Sequence, residues 1–428
     1  MELQLLAFLL YMCLLGTVLG TFTGLVPGIH VNTLAVLMLA SYPALEALID
    51  PWVPHGWTAI LVSSLVVSAS VVHSFVDFVP SVFLGAPSPD QVLNVLPGHR
   101  MLLEGRGMDA VSAAAVGSLV GALAAVVLAI PLQVLMTSGG EEALQDLTPY
   151  VIAGTAVLLL YVEKGLKGRM WALLLMVLSG ILGYCCILGA FPEWGLIPGG
   201  SMMLPLLTGL FGMPAMLLSA QNTAMPEQRM TEGINDHPLP ALKGLLAGGI
   251  VGWFPGITAT AGTVVASLTS PEVEPDRFIS MVASVGTAST VFALVTLSVS
   301  GKGRSGTMLV VGEVMGDSLT GVGSLSIAVL LVAVLLSSLL GYAATLASGR
   351  ALAKWMAGVN LRTLSIGIMV FMTVLVAVMT GPLGLLVLLT ATVMGLLPTA
   401  VNVNRVHLAS CLLLPVLMFY IGFDPMAV

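Results

Sequence analysis

Two stretches of this chain carry the same spacing of glycine and proline inside apolar runs. The first is Gly16, Gly20, Gly24, Pro27, Gly28 and Ile29, and the second, 228 residues on, is Gly244, Gly248, Gly252, Pro255, Gly256 and Ile257. Proline removes a backbone donor, and hydrocarbon offers no water to satisfy the groups it frees. A helix broken at membrane depth therefore persists only where it is buried in protein or faces a polar cavity. Paired interruptions at corresponding places in two halves point to a transporter's substrate site. The plainer reading is two proline kinks with glycine stripes for close helix packing. Repetition of the whole pattern favours an internal duplication with one broken helix in each half.

Composition fixes the solvent. The chain is 57% hydrophobic and 8% charged, against about 25% charged residues in a soluble domain. It reads as an all-α polytopic membrane protein. Cys13, Cys185, Cys186 and Cys411 lie in apolar runs without metal-ligand spacing and read as small buried hydrophobes. The stretch from Met1 has no basic n-region and no small-residue cleavage site, so it reads as a first membrane helix. No nucleic-acid partner is expected.

Apolar runs fall near 3–26, 28–49, 58–83, 109–136, 148–163, 170–190 and 201–218, then near 239–254, 256–269, 279–299, 323–346, 363–380, 383–398 and 405–422. That gives about 10–14 membrane segments, the lower figure if the Pro-Gly pairs are tips of re-entrant hairpins. Each half crosses an odd number of times, so residues 1–218 and 239–428 form two inverted-topology repeats joined by a polar cytoplasmic linker, 219–238. The basic residues agree with this. With Lys164, Lys167 and Arg169 inside, Arg100, Arg106, Arg229, Lys243, Arg277, Arg350, Lys354, Arg362 and Arg405 also fall inside, and only Lys302 and Arg304 fall outside. Both termini are then extracytoplasmic. Gly195-Leu196-Ile197-Pro198 and Gly395-Leu396-Leu397-Pro398 mark a second correspondence, each before the last helix of its half.

Helix segments that start at Gly28 and Gly256 present free N–H groups and a positive dipole end, which attract carboxylate or phosphate. The expected substrate-binding residues are Pro27, Gly28, His30, Asn32 and Thr33 in the first half, and Pro255, Gly256, Thr258, Thr260 and Thr263 in the second. For each threonine alone, helix-to-helix hydrogen bonding is an equal reading. Ser70, His73 and Asp77, with Ser284 and Thr287 in the equivalent run, are the candidates for sodium or proton coupling. Asp77 falls near the cytoplasmic end, where simple hydration is an alternative. The loops around Glu104-Gly105-Arg106-Gly107 and Gly301–Gly321 are expected to be solvated. No cofactor motif, zinc helix, nucleophile elbow or P-loop occurs, so no enzyme is expected.

Several stretches resemble the tripartite tricarboxylate transporter permeases, the large TctA-type subunit. They are the segment around Pro27-Gly28-Ile29, the run Phe83 to Asp90 followed by Gly98 and Gly105-Arg106-Gly107, the run Pro205 to Gly212, and Pro255-Gly256. In its shortness the chain is similar to the compact archaeal-type members. The resemblance implies a carrier of organic carboxylates, served in bacteria by an extracytoplasmic binding protein and a small membrane subunit. The expected function is secondary-active, ion-coupled transport of a small organic anion by alternating access. The alternatives are a flippase for a polyprenyl-phosphate lipid carrier and a non-transporting membrane scaffold.

Overall fold

Segments this apolar can satisfy their backbones in a bilayer only as helices or closed barrels. In the computed structural model they are helices, with no strand among the described residues. Those residues are 2–26, 31–54, 56–84, 95–189, 194–196, 202–220, 226–229, 238–253, 259, 262–263, 266, 274–319, 321–356 and 360–422. The first half holds α1 (Glu2–Leu25), α2 (Val31–Ala40), α3 (Tyr42–Ile49), α4 (Trp57–Val76), α5 (Phe78–Leu84), α6 (Val95–Leu103), α7 (Gly107–Leu135), α8 (Glu141–Val162) and α9 (Gly165–Leu188). It ends with α10 (Met203–Leu207) and α11 (Met213–Ser219), joined by a wide turn at Thr208–Gly212. The second half holds α12 (Pro238–Trp253), α13 (Pro275–Ser300), α14 (Gly306–Met315), α15 (Leu325–Met356), α16 (Leu361–Val401) and α17 (Ser410–Tyr420). Among the described residues, seven helical stretches are long and apolar enough to cross a membrane. The chain is an all-α, multi-pass membrane protein.

One of those seven is two helices. Gly381 interrupts α16 with φ 67° and ψ −159°. Ile368 packs on Met216, while Gly395 lies against Pro214. A straight helix would hold residues 368 and 395 about 40 Å apart, so the chain reverses at Gly381. Its arms, 361–380 and 382–401, match the two runs read from the sequence. Leu196 closes the tip by donating its N–H to the Val378 carbonyl at 2.8 Å.

The glycine stripes fix the directions of the long helices. On α1, Gly16 lies against Leu65, Ser68 and Ala69, Gly20 against Ala69 and Val72, and Gly24 against Val76 and Asp77. On α12, Gly244 meets Met281 and Ser284, Gly248 meets Val285 and Ala288, and Gly252 meets Ser289 and Phe292. Both pairs, α1 with α4 and α12 with α13, are therefore parallel, and the chain between their members must return to its starting side. Close backbone approach of this kind is what the small-xxx-small pattern provides.

The halves then exchange their next long helix. α7 packs on α12 and α13, and α15 packs on α1 and α4. Gly117 lies on Ser280, Gly121 on Ser284, and Gln133 Nε2 donates to Ser298 Oγ at 2.7 Å, so α7 runs parallel to α13. α15 runs antiparallel to α7, since Gly323 N–H donates to Gln133 Oε1 at 3.1 Å and Gly349 meets Met108 and Val111. The Ser337 and Ser68 hydroxyls are 2.7 Å apart and Gly341 lies on Phe75, which makes α15 parallel to α4. Thus α1, α4 and α15 point one way and α7, α12 and α13 the other, as inverted repeats require. Gly16, Ser68 and Ser337 share one central level with Gly244, Ser284 and Gly121. The exchange recurs at the far side of each half, where α9 packs on α17 and the arm 382–401 packs on Met203–Ser219.

Two expectations about loops change. The Gly105-Arg106-Gly107 turn is covered rather than free. Gln228 of the linker accepts from Gly107 N–H at 2.9 Å and donates to the Leu102 carbonyl at 3.0 Å, and Arg229 N–H donates to the Gly105 carbonyl at 2.8 Å. Gly105 has φ +75°, and a side chain there would meet the Glu227 carbonyl. The stretch Gly301–Gly321 contains α14, with Thr307, Met308, Val310, Val311 and Met315 buried. A ten-residue helix is too short to register as a span, and its flanking Lys302 and Arg304 give the stretch a loop-like composition.

Candidate functional site

The polar groups with the most to do lie where α2, α4 and α14 meet. Ser305 is the N-cap of α14, and its hydroxyl accepts from Met308 N–H at 3.3 Å. Asn32, from the first half, takes the neighbouring donor: its Oδ1 accepts from Thr307 N–H at 3.1 Å. A side chain on Gly306 would collide with Asn32, so only glycine lets the amide seat this closely. Thr307 Oγ1 stands 2.9 Å from Ser305 Oγ and 3.3 Å from Ser70 Oγ. One residue from each of α2 and α4 in the first half therefore converges on the N-terminal turn of a second-half helix. Ser70 is two residues past Ser68, so this junction lies close to the central level.

One turn further along α4, His73 Nδ1 is 3.0 Å from Thr23 Oγ1 on α1, and Thr23 in turn donates to the Gly20 carbonyl at 3.2 Å. His73 and Asp77 are each 7% exposed. Asp77 sits where α4 gives way to α5, beside Gly24 of α1. The row Ser70, His73, Asp77 thus faces the interior of the fold. By the glycine registers, Ser289 and Ala293 stand in the second half where His73 and Asp77 stand in the first.

The second-half candidates have local partners. Thr263 Oγ1 donates to the Ala259 carbonyl at 2.8 Å and Thr287 Oγ1 to the Ala283 carbonyl at 3.0 Å. Ser284 Oγ donates to the Ala241 carbonyl, tying α13 to α12. Pro27, Gly28, His30, Pro255, Gly256, Thr258 and Thr260 lie outside the described residues, as does the side chain of Thr33. The helices leading to the two Pro-Gly pairs diverge: Gly24 and Gly252 each lie about 12 Å from the central level, in opposite directions. The structure therefore joins Asn32 with Ser70 through Thr307, whose neighbour Ser305 caps the same helix. Thr23, Ser305 and Thr307 were not among the sequence candidates. Ser305 carries a readable signal, a serine at the start of an apolar helix-forming run. Among the described residues no group of His, Cys, Asp and Glu is placed to hold a metal ion.

Comparison with protein families matches residues 10–410 to the tripartite tricarboxylate transporter TctA family. An uncharacterized protein of Methanocaldococcus jannaschii is 24% identical over 428 aligned residues, covering 96% of this chain and 99% of that protein. No solved structure matches.

Proposed function

This chain belongs to the tripartite tricarboxylate transporter TctA family, and from that premise we propose that it carries a small di- or tricarboxylate by ion-coupled alternating access. The coarser statement, that it is a permease component of such a transporter, rests directly on the family match over residues 10–410. That match is the observation that carries the reading. What supports the finer mechanism is the opposed direction of α1, α4 and α15 against α7, α12 and α13, since alternating access uses repeats that rock about a site between them.

Asn32 and Ser70, with Ser305 and Thr307, set the register of the anion where the halves meet. The Pro27-Gly28 and Pro255-Gly256 segments, with His30, Thr33, Thr258, Thr260 and Thr263, supply backbone and hydroxyl donors on the two sides of the central level. Sodium or protons couple through Ser70, His73 and Asp77 in the first half, with Ser284 and Thr287 as the second-half coupling residues. The halves are residues 1–218 and 239–428. Arg100, Arg106, Arg229, Arg277, Arg350 and Lys354 belong to the end where α7 and α13 begin and α15 finishes, which supports a cytoplasmic assignment for that end and extracytoplasmic termini. An extracytoplasmic binding protein and a small membrane subunit are the partners that a tripartite system implies.

The test is uptake of labelled citrate and succinate into liposomes holding the purified chain, under sodium or pH gradients, with and without candidate binding proteins. Gradient-dependent accumulation is the expected result. Displacement of bound ligand by short-chain polyprenyl phosphate but not by citrate overturns it in favour of lipid-carrier flipping. No anion movement under any gradient or with any partner leaves a scaffold.

A further inference from the structure

The Thr23 hydroxyl has one hydrogen and two neighbours. Its Oγ1 donates to the Gly20 carbonyl at 3.2 Å and stands 3.0 Å from Nδ1 of His73. A hydroxyl is a single donor, so both contacts are made together only when His73 Nδ1 carries a hydrogen and donates it to Thr23. The bond made at one ring nitrogen decides which nitrogen is protonated. In the neutral ring the lone pair is then on Nε2.

The glycine register of α1 on α4 brings the two together. A side chain on Gly20 would meet Ala69 and Val72, and one on Gly24 would meet Val76 and the His73 carbonyl. Between these glycines the short Thr23 side chain, itself buried, reaches the ring. Packing alone does not require the pair. The second half makes the same close approach between α12 and α13 with Val251 in the place of Thr23 and Ser289 in the place of His73. There the Ser289 hydroxyl turns back to the Gly286 carbonyl at 2.7 Å. Of the Asp, Glu, Lys, Arg and His residues in the seven spans, His73 also lies furthest from a span end. Ionisable groups held at such depth mark ion paths and proton relays.

We infer that Thr23 is the positioning residue that fixes the His73 tautomer, so that the coupling ion is a proton taken up and released at His73 Nε2. This rests on the coupled-transport reading above and narrows sodium or protons to protons. A proton gained at Nε2 turns the imidazole into imidazolium, its release from the same nitrogen restores the neutral ring, and no other bond changes. Nδ1–H donates to Thr23 in both forms, so the ring keeps its orientation through the cycle. Asp77, four residues on along the same helical face, is the one acidic residue of that span. Towards that end of α4 the packed helices bring Tyr342 on α15 and the Glu274–Arg277 ion pair of α13, while α1 has no charged residue beyond Glu2 and α2 has none.

The experiment has a spectroscopic and a transport arm. Purified protein with nitrogen-15 in its histidine rings is compared as wild type, Thr23→Val and Thr23→Ser, with His73→Gln to assign the His73 signals. Ring nitrogen shifts of the neutral form should show Nδ1–H in wild type and Thr23→Ser, and a population moved toward Nε2–H in Thr23→Val. In the liposome assay, citrate uptake by wild type should follow a pH gradient and ignore a sodium gradient. Thr23→Val keeps the side-chain volume but removes the acceptor, so proton-driven uptake should slow roughly tenfold, the weight of one buried hydrogen bond. Thr23→Ser should restore most of it. An Nε2–H tautomer in wild type, uptake driven by sodium alone, or equal proton-driven uptake by Thr23→Val and wild type overturns this inference and leaves transport intact. Should Thr23→Val not reach the membrane, Thr23→Ala takes its place with the same outcomes. Absence of gradient-driven uptake by wild type fails the transport reading, and this inference with it.

Discussion

Asn32 holds the N-terminal turn of a helix from the other half, and the proposed transport reading gives the same side chain a second role, toward the substrate. Its Oδ1 accepts the Thr307 N–H at 3.1 Å. Replacing it with leucine strands that donor, at a cost of about 1–3 kcal/mol where the amide is buried, and removes the hydrogen-bonding edge offered to substrate. Asn32→Leu should therefore lower the melting temperature and abolish uptake. Aspartate separates the roles. It keeps the acceptor and places negative charge at a helix N-terminus, where such charge is favourable, yet it repels an anionic substrate. Asn32→Asp should melt at or above the wild-type temperature and lose uptake of carboxylates. Wild-type uptake by Asn32→Asp, measured in the same liposomes, would leave Asn32 a helix cap and nothing more.

At the scale of elements, the glycine spacing made two parallel helix pairs out of otherwise featureless apolar runs. Both readings of the motif were legible in the sequence, and the structure gives the packing reading a definite form. A methyl group on Gly20 would lie 2.5 Å from the Ala69 carbonyl oxygen, and one on Gly248 would lie 2.7 Å from Ala288 Cβ. Gly249 is different, because its nearest neighbour would be 3.7 Å away, a Phe292 ring carbon. Gly20→Ala and Gly248→Ala should each lose roughly 1–3 kcal/mol to overpacking, and Gly249→Ala should lose almost nothing. Thermal unfolding in detergent distinguishes them, and equal melting temperatures for all three would remove the case for backbone-on-backbone contact. The helix α14 was not legible in this way. Its ten residues fall short of a span, and a serine N-cap between Arg304 and Gly306 looks like loop when the partner, Asn32, lies 275 residues away. A contact that distant has no local periodicity to announce it.

Across the whole molecule, opposed halves followed from odd crossings and from where the basic residues fall, both of which are properties of the chain read in order. The exchange of α7 and α15 between halves did not. A stripe such as Gly117 and Gly121 shows that a helix packs closely but not against which partner, and Ser280 and Ser284 lie in the other repeat. The halves are also tied at one end by a charged contact. Glu163, between α8 and α9, accepts from His407 Nε2 at 2.9 Å and from Asn404 N–H at 3.2 Å. Burial acts to raise the Glu163 carboxyl, but the hydrogen bonds from His407 and Asn404 outweigh it, and the group is held below the ordinary carboxylate range. A carboxyl depressed on folding adds stability that is present above its unfolded pKa, about 4.3 for glutamate, and is lost as pH falls through the lower folded value. Wild type should therefore melt above Glu163→Gln at pH 7, and the gap should close on acidification below about pH 4. Because Glu163 and the Asn404–His407 turn belong to different halves, the same variant should make the 405–422 segment more accessible to protease. A constant gap across that pH range, or unchanged proteolysis at pH 7, would show that the contact does not hold the halves together.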